Sequence, residues 1–159
     1  MKTKAINLYE YGGPEVLRYE DVDIGEPGEG EALVRHTAVG LNFIDTYHRT
    51  GLYPMEFPAG LGTEAAGVVE AVGPGVTEVS PGDRVAWTGV PPGTYVGHRN
   101  YPAWQLVPVP DEITDEAAAA MLLKGLTAWY LLFRSYPVKR GDPVLLYAAA
   151  GGVGSIASQ

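Results

Sequence analysis

Cysteine is absent from the 159 residues. Its absence excludes disulfides, a thiolate nucleophile and every Cys-based zinc site. Basic residues are few, 11 against 19 acidic ones, for a formal charge of −8. Nucleic-acid binding needs a basic face for the phosphates, and no basic run occurs, so nucleic acid is not an expected partner. The three histidines, His36, His48 and His98, share no ligand spacing for a tetrahedral metal site. Met1 to Tyr9 holds two lysines but no long apolar core, which argues against a signal peptide. No apolar run reads as long enough to span a membrane. The expectation is a cytoplasmic protein without a membrane partner.

What is abundant is glycine and proline, 21 and 13 residues in a chain that is 46% hydrophobic and 19% charged. Frequent turns and short strands follow from that composition. Alternation predicts strands over 2–9, 16–22, 31–39, 65–72, 84–88 and 103–109, with loops at 23–30 and 89–100. Asn42 to Arg49 has helical spacing and stops at Gly51, a natural C-cap. Short strands at this spacing suggest a small β-barrel or sandwich. The pattern changes at Asp111. Thr114 is placed to cap a helix whose first turn is acidic, and helices are expected over 117–123 and 126–133, broken near Gly125. The boundary is expected at 110–125, dividing a domain over 1–122 from a segment over 123–159.

The last nineteen residues, Gly141 to Gln159, read as an apolar strand over 144–150 that opens into a glycine turn, Gly151, Gly152 and Gly154, and a small-residue helix. This is how a dinucleotide-binding βαβ unit begins. Glycine lets the backbone approach a pyrophosphate, and a helix start offers free N–H groups to it.

Six segments in order carry a family resemblance: Tyr11-Gly-Gly-Pro-Glu-Val-Leu17, Asn42-Phe-Ile-Asp-Thr-Tyr47 with Gly51-Leu-Tyr-Pro54, Gly62-Thr-Glu-Ala-Ala-Gly67, Pro81-Gly-Asp-Arg-Val85, Leu123-Lys-Gly-Leu-Thr127 and Gly151-Gly-Val-Gly154. End to end the chain resembles the medium-chain dehydrogenase/reductase superfamily, and within it the zeta-crystallin-like quinone oxidoreductases. The resemblance implies a mostly-β, GroES-like barrel as the catalytic domain, then a Rossmann domain of which only the first strand, turn and half-helix are present. Completing it would take roughly 150 further residues, so the sequence looks like the front half of an enzyme. The residue that would read the ribose 2′ position lies on the second Rossmann strand, beyond Gln159. The resemblance implies NADPH, with NADH open, and a homodimer for the full-length protein.

Zinc-dependent members of the superfamily carry a Cys ligand and a Gly-His-Glu motif where this chain has Asn42 and Thr63. A metal-free site is therefore expected. Hydride transfer to a quinone or enone needs no Lewis acid, because the acceptor is already electrophilic.

Asn42 is either a nicotinamide or substrate partner or the N-cap of the following helix, or both. Tyr47 resembles the family tyrosine that faces the nicotinamide ribose or substrate, and its O–H suits a quinone oxygen gaining charge. Asn42, Tyr47 and Lys124 are the expected catalytic group. Phe43 and Ile44 are placed beside the cofactor or in the core, and Tyr53 beside the substrate. Asp45 either holds a neighbouring Arg or Tyr or is a solvated helix charge, and Glu64 is expected to pair with a cation. Lys124 stands in an apolar helical stretch, with Thr127 and Tyr130 following towards the cofactor. Gly151, Gly152, Val153 and Gly154 complete the expected cofactor set. Two other readings stay open. One is a 2-enoyl thioester or alkenal reductase. The other is a non-catalytic GroES-like interaction module or truncated gene product, since lens-type and vesicle-type relatives show that this fold does not imply catalysis.

Overall fold

The computed structural model describes residues 1–159. The chain divides into two compact units, Met1–Ala120 and Met121–Gln159.

The first unit is built on strands β1 (Lys2–Leu8), β2 (Arg18–Asp23), β3 (Glu31–Gly40), β4 (Ala59–Gly60), β5 (Glu64–Val72), β6 (Arg84–Thr88), β7 (His98–Pro102) and β8 (Val107–Pro108). One helix, α1 (Phe43–Thr50), is inserted between β3 and β4, and α2 (Asp115–Trp129) follows β8. The strands form two sheets, ordered β2-β1-β4 and β7-β3-β5-β6-β8, rather than one closed ladder. Residues 95–97 join them: Ile6 N–H donates to Tyr95 O, Gly97 N–H to Lys4 O, and His36 N–H to Gly97 O.

The core lies under the five-stranded sheet, where Ala32 and Val34 of β3, Ala65 and Val69 of β5, and Val85 and Trp87 of β6 cluster with Tyr101 and Leu106. On β3 Ala32, Leu33 and Val34 are buried in a row and exposure alternates from Arg35 to Val39, and two register shifts, at Leu33/Val34 and His36/Ala38, break the ladder against β5. Such bulges bend a strand and increase its twist. Gly40 ends β3 opposite Glu64. A Cβ there would collide with the Ala119 carbonyl oxygen and lie 2.6 Å from Glu64 Oε2.

Several expectations change. The strand expected over 103–109 is a 3-10 turn, Ala103–Gln105, followed by the two-residue β8. The loop expected over 89–100 gives way to β7, a polar strand (His-Arg-Asn-Tyr-Pro) fixed by pairing with β3 from Glu31 to Arg35. The two helices expected after Thr114 are one, α2, running through Gly125 into a π-helical turn, Tyr130–Ser135. A helical glycine costs only about 1 kcal/mol relative to alanine. Asp115 anchors this helix: Arg84 donates to its Oδ1 at 2.6 Å and Thr37 to its Oδ2 at 2.6 Å. Those bonds, the Thr37 hydroxyl first, hold the Asp115 carboxyl below its ordinary range.

Counted with its π turn, Asp115–Ser135 is 21 residues with an 18-residue window of mean hydropathy 1.2, long and apolar enough by length and composition to cross a membrane. That corrects the reading that no stretch reaches such length; splitting the helix at Gly125 hid it. Lys124 stands near its midpoint, and a lysine at a bilayer centre costs about 2.5–3.5 kcal/mol.

In the second unit the strand expected over 144–150 is absent. Residues 143–146 are irregular and 147–150 form turns, with Leu145 and Tyr147 over three-quarters exposed. A strand exists through its ladder, and no neighbouring strand pairs with this segment. Helix α3 (Gly152–Ala157) does form, entered at Gly151.

His36 gives the fold an acid weakness. Its ring stacks edge-on against Trp87 at 5.0 Å and its Nδ1 pairs with Thr94 O at 3.0 Å, while Nε2 is buried without a partner. Burial pushes its pKa from the ordinary 6.5 down to about 4. The unfolded chain therefore binds the extra proton first, and stability is full above pH 6.5 and falls as pH drops towards 4. The loss amounts to at most about 3 kcal/mol. His36→Phe, which keeps the stack, should flatten urea-unfolding stability between pH 6.5 and 4.5. A slope unchanged by the substitution would assign the acid loss elsewhere.

Candidate functional site

The first group of expected site residues gathers around the start of α1. Asn42 is its extended N-cap and Gly51, at φ 82°, its left-handed C-cap. Both ends fall where the sequence places them. Asp45 is the third helical residue and turns back, so that its Oδ2 accepts the Asn42 backbone N–H at 2.9 Å. This is the carboxylate half of a capping box. The same Oδ2 accepts the Tyr95 hydroxyl at 2.6 Å. Of the two readings of Asp45, a charge holding a tyrosine is correct; the residue is buried, not solvated. Burial, then the Asp45 hydrogen bond, pushes the Tyr95 hydroxyl far above its ordinary pKa. It stays protonated and remains a donor.

The Asn42 side chain makes a second buried link. Its Nδ2 donates to Glu64 Oε2 at 2.9 Å. Glu64 is fully buried at the first position of β5, between Gly40 of β3 and Thr88 of β6. A partner of Glu64 is thus an amide, which the sequence did not suggest.

Tyr47, one turn further on, sits in a run of aromatics. Its ring lies 5.4 Å from Phe43 and 5.6 Å from Tyr53, both edge-on. Phe43 is exposed and Ile44 half-buried, so Phe43 lies outside the core and Ile44 at its margin. Asn42, Asp45, Tyr47, Phe43 and Tyr53 are thus brought together, with Ile44 on the same helix.

The second group lies on α2 and the glycine turn, within the second unit. A Cβ on Gly152 would come 2.8 Å from Lys124 Cδ, so the lysine stem lies over the turn. A Cβ on Gly154 would collide with the Ala148 carbonyl oxygen and the Ala149 backbone. Ala148 itself has φ 52°. The turn therefore requires small residues for its own closure, and Gly151 N–H closes it onto Ala148 O at 2.8 Å. Val153 follows on α3, half-buried. Thr127 spends its hydroxyl on Leu123 O at 2.6 Å, one turn back along its own helix. Tyr130 is exposed and opens the π turn.

Asn42 turns its amide nitrogen to Glu64, and Thr63 keeps its hydroxyl buried without a partner. No three His, Cys, Asp or Glu side chains gather to hold a metal ion.

The sequence reading missed Tyr95, which stands fifty residues from Asp45 in a stretch read as loop. No local signal announces it. The capping-box spacing Asn42-x-x-Asp45 was available and marks Asp45 as structural.

The family model described as the alcohol dehydrogenase GroES-like domain matches residues 28–111. The chain belongs to that family. It therefore lies within the medium-chain dehydrogenase/reductase superfamily that the motifs resemble. A quinone oxidoreductase of Pseudomonas aeruginosa is 52% identical over 157 residues, 98% of this chain and 48% of that protein. A 2-haloacrylate reductase of a Burkholderia species is 47% identical over 155 residues, 94% of this chain and 46% of that protein. Among solved structures, Escherichia coli quinone oxidoreductase complexed with NADPH superposes with a TM-score of 0.94 at 46% identity, over 97% of this chain and 48% of that one. The chain spans about half the length of the curated relatives it matches.

Tyr95→Phe keeps the ring and removes its bond to Asp45. It should destabilise the protein by about 1–3 kcal/mol, the cost of leaving a buried polar group short of a partner. Chemical denaturation reads this directly, and an unchanged midpoint would show that the hydroxyl does not hold α1.

Proposed function

We propose that this chain is the catalytic-domain part of a cytoplasmic, zinc-independent, NADPH-dependent quinone oxidoreductase that acts as a homodimer. The aromatic run of Phe43, Tyr47 and Tyr53 beside Asn42 carries the reading, because it offers a flat acceptor both ring faces and a hydroxyl. The likeness to quinone oxidoreductases, one of them an NADPH complex, supports it. NADH remains the alternative cofactor.

The glycine turn fits a dinucleotide. Gly151 N–H closes the turn and Ser155 N–H bonds back to Gly151. The N–H groups of Gly152, Val153 and Gly154 stand in the first turn of α3, where helical N–H groups have no intrahelical acceptor. They suit a pyrophosphate, and the Lys124 stem over Gly152 places a cation next to it. Reduced nicotinamide supplies a hydride when bound. The protein's part is to place the acceptor and stabilise the oxygen that gains charge. Tyr47 O–H does this as donor, with Asn42 orienting the ring. Thr127 lends its backbone position rather than its hydroxyl, and Tyr130 is free to lie against the cofactor. The acidic surface, −8 overall, disfavours nucleic acid, and the mid-helix Lys124 disfavours a membrane-spanning role for α2.

A second reading rests on the 2-haloacrylate reductase relative. Hydride would go to the β-carbon of an activated alkene, and the same hydroxyl would meet the enolate oxygen. The polypeptide carrying this chain should oxidise NADPH with 1,4-benzoquinone, undiminished by a metal chelator. Tyr47→Phe should lower kcat by about 100-fold or more. Faster turnover of 2-haloacrylate or a simple enone would select the second reading. Turnover of none of them would leave the interaction-module reading. Residues 1–159 alone should bind NADPH weakly or not at all; saturable micromolar binding by calorimetry would contradict this.

A further inference from the structure

Tyr53 stands in a segment with little of its own to hold it. Between the end of α1 at Thr50 and the start of β4 at Ala59 no strand or helix forms. Pro54 and Pro58 have no N–H to donate. Tyr53 N–H reaches back to Tyr47 O at 3.2 Å, and the residues after it are bonded from elsewhere. A loop of this kind moves unless something ties it down.

The tie is Tyr11, in the turn after β1 and 44 residues from Met55. Its hydroxyl donates to Met55 O at 2.9 Å and accepts Met55 N–H at 2.7 Å. One side chain thereby satisfies both backbone groups of a loop residue, which otherwise need water or a ladder. Its ring lies on Gly51, where a Cβ would come 2.8 Å from Tyr11 Cγ. Position 51 is therefore held to glycine twice, by its φ of 82° and by this ring. Phe57 packs edge-on against the same ring at 4.7 Å. The next residue fastens the turn to α1: Gly12 N–H donates to Arg49 O at 3.1 Å, and Arg49 Nε to Gly12 O at 3.2 Å. Residues 11 and 12 thus grip the chain at 49 and 51 on one side of Tyr53 and at 55 and 57 on the other.

We infer that Tyr11 is a positioning residue, which sets Tyr53 for the acceptor by gripping the chain before and after it. This rests on the reading of Tyr53 as a substrate residue and deepens it, because acceptor binding then depends on a side chain outside the aromatic run. The Tyr53 ring lies 5.6 Å from Tyr47 and 5.9 Å from His48. A segment that drifts carries that ring away from a flat acceptor. Tyr47 stands on α1, whose N-cap and C-cap do not use the Tyr11 hydroxyl. Loss of the grip therefore weakens acceptor binding and leaves the chemical step in place.

Tyr11→Phe keeps the ring on Gly51 and removes both bonds to Met55. In the complete polypeptide that carries this chain it should raise KM for 1,4-benzoquinone about fivefold, the size of a lost hydrogen bond. Both kcat and the KM for NADPH should stay within about twofold, the pattern of lost uniform binding. The rise should vanish in a Tyr53→Ala background, because residues that act through one another are not additive. Tyr53 N–H should also exchange with solvent faster in Tyr11→Phe, read at single-residue resolution, while the amides of α1 keep their rates. An unchanged KM, the same rise when Tyr53 is alanine, or a Tyr53 N–H that exchanges as before would each overturn the inference. A protein that reduces no quinone would sink the proposed activity, and the exchange rate alone then decides whether Tyr11 holds Tyr53.

Discussion

The arrangement depends on a buried amide between two carboxylates. Asn42 joins the end of β3 to the start of α1, and Asp45 and Glu64 hold it from the helix and from the sheet. Burying two acids is unfavourable unless every donor they can reach is supplied. Here the supply comes from the Asn42 backbone, its side chain and the Tyr95 hydroxyl, and Asp45 Oδ1 alone is buried without a partner. The outcome is a helix start that cannot slide or turn without leaving a buried acceptor unmet. Tyr47 and Phe43 inherit their positions from it, because they stand on the same eight-residue helix.

The second unit obeys a different constraint, that of space. Gly154 is fixed by the Ala148 carbonyl and Gly152 by the Lys124 stem. The turn holds its shape even though the residues before it form no strand. Closure of the turn is local, through Gly151 and Ala148, whereas a strand needs a neighbour. That difference explains why α3 appears and a strand over 144–150 does not.

Local chemistry was legible in the sequence, and pairing between distant segments was not. The α1 boundaries followed from Asn42 and Gly51, and β3, β5 and β6 from alternation and apolar runs. Thr114 caps α2 as read, its Oγ1 accepting the Ala117 N–H at 3.2 Å. The polar strand β7 has no hydrophobic period of its own and exists because β3 has a free edge. Gly125 reads as a break because glycine disfavours helix, but the penalty is only about 1 kcal/mol and α2 runs through it. Of the site, the residues around Asn42 and Tyr47 were readable from motifs. Glu64 was noticed without its partner, and Tyr95 was invisible, since nothing near position 95 signals an acid fifty residues away.

The most direct test of this account is hydrogen exchange at the Asn42 side-chain amide, followed by NMR. The two Nδ2 protons should differ: the one donated to Glu64 should be shifted downfield and exchange slowly with solvent, and its partner faster. Two protons that exchange alike, at the rate of an exposed asparagine, would contradict the claim that a buried carboxylate holds this residue.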